Sequence, residues 1–358
     1  MYLATLFEGE IMEENNMLNY VKEVLKNMPT DWLKLTTHRL DIYDESVAKT
    51  QFLEQFETLF KTHNSDTSAL DNLPTAYDYI RLGHPLSCVL EWTLANLNHL
   101  KPNNAISFSS QTVPVLAILR TNLLADKKTR IVYTRALPNA FDAETLKHVY
   151  SYNFELKQLE NVSAVPEFDG STIYIYEQKE FLKIEQSPNI DFYIQTNADL
   201  GSILLVNGNQ NQSYISDIQH VRRRETIAMT PVNCLKALSI LTNKSSEKIQ
   251  NTLETNKGQV LEAISAITHS PTKPLVGSSG LSVQYAIMMG LIHDAQENHP
   301  HKAIKFIVPP NCYGGTNDQA RRVAACINNV EVVDLPVDGD NDMVHSIDTI
   351  LDQIAAED

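Results

Sequence analysis

The sequence predicts an α/β protein: a mainly parallel sheet covered by helices, preceded by a helical segment and followed by the start of a second α/β unit. Three observations lead there. Short β-branched runs lack polar alternation, as strands buried on both faces do. Helical periods of three and four separate those runs. The strand and helix alternation then restarts near the C-terminal end, and 358 residues leave room for two domains.

The elements follow in chain order. Met17, Leu18, Val21, Val24, Leu25 and Met28 fall at helical spacing, as do Phe52, Phe56, Leu59 and Phe60, so residues 1–75 form a helical segment. The stretch NSDTSALDNLPT breaks that pattern. Within 76–270 the expected strands are ISFS (106–109), RIVYT (130–134), TIYIYE (172–177), FYIQT (192–196) and SILLVN (202–207). From Thr230 to Ile267 the chain is almost all helix, suited to bridging two domains. After Ser270-Pro271 the second unit, 271–358, holds a helix from Leu281 to about Gln296 and a strand KFIV. A helix from about Gln319, a strand EVVDL and a last helix over 344–355 complete it.

That restart has sequence anchors. Phe108-Ser109-Ser110-Gln111-Thr112 lies over Gly277-Ser278-Ser279-Gly280-Leu281 at an offset of 169, and Pro138-Asn139-Ala140-Phe141 over Pro310-Asn311-Cys312-Tyr313 at 172. A degenerate internal duplication is the expectation, two domains rather than a solenoid array.

Composition narrows the function. Hydrophobic residues make up 43% and charged residues 20%, as in ordinary globular proteins, which excludes disordered and fibrous classes. A net charge of -15 repels nucleic acid phosphates and anionic membrane surfaces, so neither is an expected partner. Cys88, Cys234, Cys312 and Cys326 are far apart without CxxC spacing and read as reduced thiols. The N-terminal residues are acidic where a signal peptide is basic, and no run approaches 18 apolar residues, so the expected compartment is the cytosol.

Three segments carry candidate chemistry. Ser278-Ser279-Gly280-Leu281 precedes an apolar helix, where small residues and free N-H groups suit a phosphate; a plain serine cap gives the same pattern. Asn311-Cys312-Tyr313-Gly314-Gly315-Thr316 ends a strand, where two glycines in a strained turn would expose an aromatic ring for stacking on a flat cofactor. Tyr77-Asp78-Tyr79-Ile80-Arg81-Leu82-Gly83-His84-Pro85, read as extended, presents Tyr79 and Arg81 on one side to a phosphate; the alternative is an arginine packed on its own tyrosine.

Together these segments resemble the Cys/Met metabolism family of pyridoxal-phosphate enzymes, which includes cystathionine gamma-synthase, cystathionine lyases and O-acetylhomoserine sulfhydrylase. The resemblance covers roughly 76–358 and implies a fold type I transferase fold and the cofactor pyridoxal 5'-phosphate. It implies that Tyr79 and Arg81 clamp the cofactor phosphate from the other lobe, that Ser279, Gly280 and Leu281 cradle it, and that Tyr313 stacks on the ring and assists proton transfer. Tyr77, Gly83 and Pro85 also match the family's arm, whereas Ile80, His84 and Leu86 depart from it. The implied activity is a carbon-sulfur lyase or γ-substituting transferase of sulfur amino acid metabolism, acting on a small amino acid in a homo-oligomer or intrachain pseudo-dimer. The alternative is a non-catalytic pseudoenzyme partner of an active homologue. A nucleotide-binding Rossmann fold is third, without a G-x-G-x-x-G after a strand.

The first copy departs from the family where the chemistry is made. Asn197-Ala198-Asp199-Leu200-Gly201 resembles the stretch after the family's cofactor-binding lysine, which places Phe192 on that lysine, and phenylalanine has no amine. Gln111 stands at the phosphate-loop glycine and Phe141 at the stacking tyrosine, with Asp142 and Ala143 at the two glycines, and only Glu177 lies near the expected acid. The first copy thus reads as decayed. The lysine and acid of the second copy are expected beyond Asp358, in a longer polypeptide. One good site would then combine the arm of copy one with the cradle of copy two.

Three weaker signals complete the reading. Asp338 to Asp342 begins like a calcium loop but has Met343 in place of the glycine. Arg222-Arg223-Arg224 reads as a solvated face or a set of ion pairs, and His293, His299 and His301 lack ligand spacing, so no metal is expected.

Overall fold

The computed structural model describes residues 2–34, 49–74, 76, 79, 81–181, 183–243 and 253–357. Tyr77, Ile80 and the part of the helical block over 244–252 lie outside them.

Five of the six strands of the main sheet arise from the β-branched runs: β1 (Ala105–Phe108), β2 (Thr129–Tyr133), β4 (Ser171–Glu177), β5 (Phe192–Asn197) and β6 (Gly201–Val206). The sheet order is β1-β6-β5-β4-β2-β3, where β3 is Glu155–Gln158. β2 pairs in parallel with β3 and β4, and β4 with β5. β6 runs against both β5 and β1, so the sheet is mostly parallel with one reversed strand. Reversal is possible because β5 and β6 join by a short turn, where Asn197 Oδ1 accepts the N-H groups of Asp199 (2.9 Å) and Leu200 (3.0 Å). Gly201 closes that turn at φ +116°, and a Cβ there would sit 2.2 Å from the Phe108 carbonyl oxygen.

Alternation along the strands feeds two cores. Ile131, Phe192 and Leu204 join one cluster with α5 (Val113–Leu124) and α7 (Tyr214–Glu225). Their neighbours Val132, Tyr193 and Leu205 join the other with α1 (Tyr2–Asn27), α2 (Thr50–Lys61), α4 (Pro85–Leu97) and α8 (Pro231–Leu241). The N-terminal helices therefore share a core with the sheet, through Val21, Val24, Phe52 and Phe56.

The last part of the chain forms α10 (Gly280–Asn298), β7 (Ile304–Val308), α11 (Gly314–Cys326), β8 (Val330–Asp334) and α12 (Met343–Glu357). α11 starts five residues before the Gln319 expected from the sequence. β7 and β8 pair in parallel, Ile304 opposite Val330, as Arg130 of β2 stands opposite Glu155 of β3. Residues 271–278, where a counterpart of β1 would lie, form no strand. A third cluster, with Tyr285, Met288, Ile292 and Val323, holds this part together and includes Val149 from the first unit.

Candidate functional site

α10 starts with a reciprocal capping box: Ser279 Oγ accepts the N-H of Ser282 at 3.1 Å, and Ser282 Oγ accepts the N-H of Ser279 at 2.9 Å. The N-H groups of Gly280 and Leu281 follow in the first turn, where helices lack intrahelical acceptors. A Cβ at Gly280 would meet nothing within 4 Å, so the space above this helix end is open. Ser110 makes the same i to i+3 bond, its Oγ accepting from Val113 N at 3.1 Å.

The start of α11 lies beside that of α10. Gln319 Nε2 donates to the Leu281 carbonyl at 3.0 Å, and Thr316 Oγ1 donates to Gln284 Oε1 at 2.8 Å. Gly315 is required by this approach, because a Cβ there would sit 2.7 Å from Leu281 Cδ1. The expected strained turn is corrected: neither Gly314 nor Gly315 has a positive φ, both are helical, and Gly314 has open space around it. Tyr313 is the residue before the helix, with 61% of its surface exposed.

Arg81 joins the two units. Its Nη2 donates to Tyr313 Oη at 3.1 Å across 232 residues of sequence. Arg81 is 5% exposed and its guanidinium lies 4.3 Å from the centre of the Tyr79 ring, while that of Arg223 lies 5.7 Å from the same ring. The extended reading of this segment is corrected too. The Tyr79 carbonyl accepts the N-H of Leu82 (2.9 Å) and of Gly83 (3.3 Å), so the segment is a turn that folds the arginine onto its own tyrosine. Two buried arginines packed on Tyr79, an exposed tyrosine bonded to one of them and two adjacent helix starts thus lie at the junction of the two units, and cations and helix starts each favour an anion.

His84, a departure from the family pattern, has a structural task here. Its Nδ1 accepts the Ser87 N-H at 3.2 Å, capping α4, and its Nε2 is 2.8 Å from the Met229 carbonyl, which fixes the proton on Nε2. Burial pushes its pKa down to about 4, against the opposing effects of the Met229 carbonyl and Glu91. The unfolded chain, with a His pKa near 6.5, takes up this proton first, so stability is full above that value and falls as pH drops from about 6.5 to 4. The shift corresponds to roughly 3 kcal/mol. Denaturant melts of His84→Asn, which keeps a capping side chain, should lose most of this slope; an unchanged slope places it elsewhere.

The first unit keeps a cavity of about 290 Å³ at its Ser109 to Thr112 loop, closed on other sides by Asn139, Glu177 and Ala198. Gln111 Nε2 lies 3.4 Å from the Asn197 carbonyl oxygen and 3.5 Å from that of Ala198, across the turn after β5. Phe192 is fully buried with its ring 4.9 Å from that of Tyr214, Phe141 packs on Phe154 at 6.3 Å, and Asp142 caps α6 (Ala143–His148).

Of the two readings of Arg222-Arg223-Arg224, the ion pairs hold and the solvated face does not. Arg222 is buried and bonds Glu91 at 2.7 Å, and Arg224 Nε pairs with Asp318 at 3.2 Å. Among the described residues no group of three His, Cys, Asp or Glu side chains could hold a metal, Cys88, Cys234, Cys312 and Cys326 form no disulfide, and no helix is long and apolar enough to cross a membrane. Sequence reasoning missed Gln319, Gln284 and Arg223 around the site. Only their spacing from the glycine turns marked them, and polar residues on an exposed helix face look the same.

No family model matches the chain, and no curated protein does. Among solved structures it is similar to metB from Corynebacterium glutamicum, at 14% identity and a TM-score of 0.31, over 56% of this chain and 60% of that one. Cystathionine gamma synthase from Xanthomonas oryzae pv. oryzae gives 12% and 0.32, over 55% and 59%. Cystathionine gamma-lyase from yeast gives 12% and 0.37, over 70% and 68%. The chain spans about 60% of the first two, and TM-scores this low leave the site to be read from its own geometry.

The residue types at the start of α10 and around Arg81 are those that one end of pyridoxal phosphate calls for. Gly280 leaves room above a helix start, and Arg81, Tyr79 and exposed Tyr313 are the donors and flat surfaces that a phosphate and an aromatic ring use. In the first unit Phe192 is core and offers no amine, and Gln111 spans the loop beside the cavity that Ser110 and Glu177 line.

Proposed function

We propose that this chain holds pyridoxal phosphate between its two units, as a carbon-sulfur lyase or γ-substituting transferase of sulfur amino acid metabolism, with a small amino acid as substrate. The observation that carries the proposal is the Arg81 to Tyr313 hydrogen bond, which unites the arm of one unit with the ring platform and helix start of the other. The serine that accepts a backbone N-H three residues on, before α5 and at α10, and the shared parallel strand pair support a tandem arrangement of residues 76–270 and 271–358.

In this reading the N-H groups of Gly280 and Leu281, with the Ser279 turn, bind the phosphate, and Arg81 supplies a charge-assisted donor from the opposite side. Pyridoxal phosphate when bound supplies an electron sink for bonds to the α-carbon of an amino acid. Tyr313 accepts from Arg81, which fixes the hydroxyl and leaves its own proton to be donated toward a ligand. Tyr79, held against Arg81, stops that guanidinium from turning to solvent.

A second reading, a non-catalytic partner of an active homologue, is favoured by Phe192 alone: buried and without an amine, it offers no imine at the position where the resemblance puts the lysine. Borohydride reduction after incubation with pyridoxal phosphate, followed by peptide mapping, should label no lysine within 76–270 specifically. Specific labelling of one, Lys179 and Lys183 being nearest to Phe192 in sequence, would overturn the account of the first unit.

Equilibrium dialysis tests the leading reading. Arg81→Ala should weaken pyridoxal phosphate binding by roughly 10- to 100-fold, the worth of one charge-assisted hydrogen bond, and leave unphosphorylated pyridoxal unaffected. Equal loss for both ligands, or no loss, would remove Arg81 from the phosphate.

A further inference from the structure

A cavity of about 490 Å³ lies where α5 and α7 of the first unit meet α11 of the second. None of its lining residues belongs to the Arg81–Tyr313 site or to a segment that resembles the family. Leu124 and Ala125 at the end of α5, Val221 of α7 and Ala325 of α11 give it apolar walls.

Five charged side chains also line it: Arg120, Arg321, Arg322, Asp217 and Asp318. Three of them are engaged elsewhere. Arg120 donates to the Glu225 carboxylate and to Tyr285 Oη. Arg321, exposed, donates Nε to Asn317 Oδ1 and Nη2 to Asp334. Asp318 pairs with His220 at 3.0 Å and with Arg224 at 3.2 Å. Asp217 is exposed, so water serves it.

Arg322 is different. Only 23% of its side chain is exposed, and among the described residues its guanidinium makes no hydrogen bond. The Glu225 carboxylate stands 3.9 Å away, too far for one. Burial, with Arg120 close by, draws the Arg322 pKa down against the raising effects of Glu225, Asp318 and Asp217, so the cation is short of compensation. A guanidinium largely out of water without an acceptor is costly, and an acceptor entering the cavity offsets that cost.

The two lining acids narrow the choice of acceptor. Asp217 and Asp318 repel a dianion such as phosphate more strongly than a single charge. A carboxylate carries one charge and matches the guanidinium fork with two parallel hydrogen bonds, while the apolar walls suit a hydrocarbon tail.

We propose that this cavity binds a small aliphatic monocarboxylate, its carboxylate on Arg322 and its chain against Leu124, Val221 and Ala325. Because these residues come from α5, α7 and α11, the occupant ties the two units together. The site is independent of the pyridoxal phosphate reading and stands if that reading fails.

Calorimetric titration of the full chain with hexanoate tests it, alongside hexanamide and inorganic phosphate. Hexanoate should bind, with hexanamide and phosphate each weaker by about tenfold or more. Arg322→Gln should weaken hexanoate by roughly 10- to 100-fold. Asp217→Asn, which removes a repelling charge at an exposed position, should tighten it about two- to fivefold, a gain that damage to the fold does not produce. Hexanoate should also raise the urea midpoint of the unchanged protein but not that of Arg322→Gln. Circular dichroism confirms that the variants are folded. The proposal is overturned if hexanoate does not bind below about 10 mM, if hexanamide or phosphate binds as tightly, or if Arg322→Gln retains the affinity of the unchanged protein.

Discussion

Glu91→Ala is expected to lower the unfolding free energy by about 3–5 kcal/mol, the cost of removing one partner from a buried ion pair. Glu91, on α4, is fully buried beneath the sheet. Its Oε2 takes Lys49 Nζ at 2.6 Å, and its Oε1 takes Arg222 Nη1 at 2.7 Å and the Ser107 N-H and hydroxyl at 2.9 and 2.7 Å. Burial alone would push this carboxyl up, but Lys49 and Arg222 outweigh it and hold the pKa at about 2. Because that pKa is depressed, the stabilisation is complete above the unfolded value near 4.5 and is lost as pH falls toward about 2. Alanine takes from Lys49 and Arg222, both buried, the carboxylate that bonds them. Guanidinium unfolding at neutral pH measures the loss, with exposed Glu13→Ala as the control. A loss below 1 kcal/mol would show that water reaches the cluster or that the two cations find other acceptors.

The same cluster shows what the sequence could not reveal. Central strands were legible because β1, β5 and β6 are buried on both faces, so each carries an apolar run, such as Phe192 to Ile194 in β5 and Ile203 to Val206 in β6. β3 was missed for the opposite reason: as ELKQ on a sheet edge it is mostly exposed, and an edge strand needs no apolar run. The start of α11 was missed because Gly314 and Gly315 disfavour helix locally, whereas the contacts of Thr316 and Gln319 with α10 determine the outcome. Arg222 looked like surface on a basic run because its counter-charge, Glu91, is 131 residues away. The candidate site has the same character. Ser279 to Leu281 and Tyr313 were visible as local turns, but the meeting of Arg81 with Tyr313 depends on how two units dock.

That docking leads to the second large effect: Glu225→Ala should destabilise the chain by about 3–5 kcal/mol and also disconnect the two units. Glu225, at the end of α7, is buried between them. Its carboxylate pairs with Arg120 of α5 from the first unit and lies 3.9 Å from Arg322 of α11 from the second. Arg120 extends the bridge by donating Nη2 to Tyr285 Oη of α10 at 3.1 Å. Burial would lower the affinity of Arg120 for its proton, but Glu225 outweighs that and raises it, so the cation persists and requires an anion. Without Glu225, Arg120 loses its carboxylate and is left facing Arg322, which keeps Asp318 and Asp217 nearby, and the repulsion acts on the contact that seats α10 and α11 against α5 and α7. Loss of Glu91 weakens the core of the first unit, whereas loss of Glu225 strikes the joint between units. Guanidinium unfolding of Glu225→Ala should therefore separate into two transitions, while Glu91→Ala keeps one transition at a lower midpoint. Because Arg81 reaches Tyr313 across the same joint, Glu225→Ala should also weaken pyridoxal phosphate binding by roughly tenfold at pH 7 without altering any residue of that site. A single transition at the unchanged midpoint, with cofactor affinity retained, would mean that the apolar contacts around Tyr285 and Val149 hold the units together without the charges.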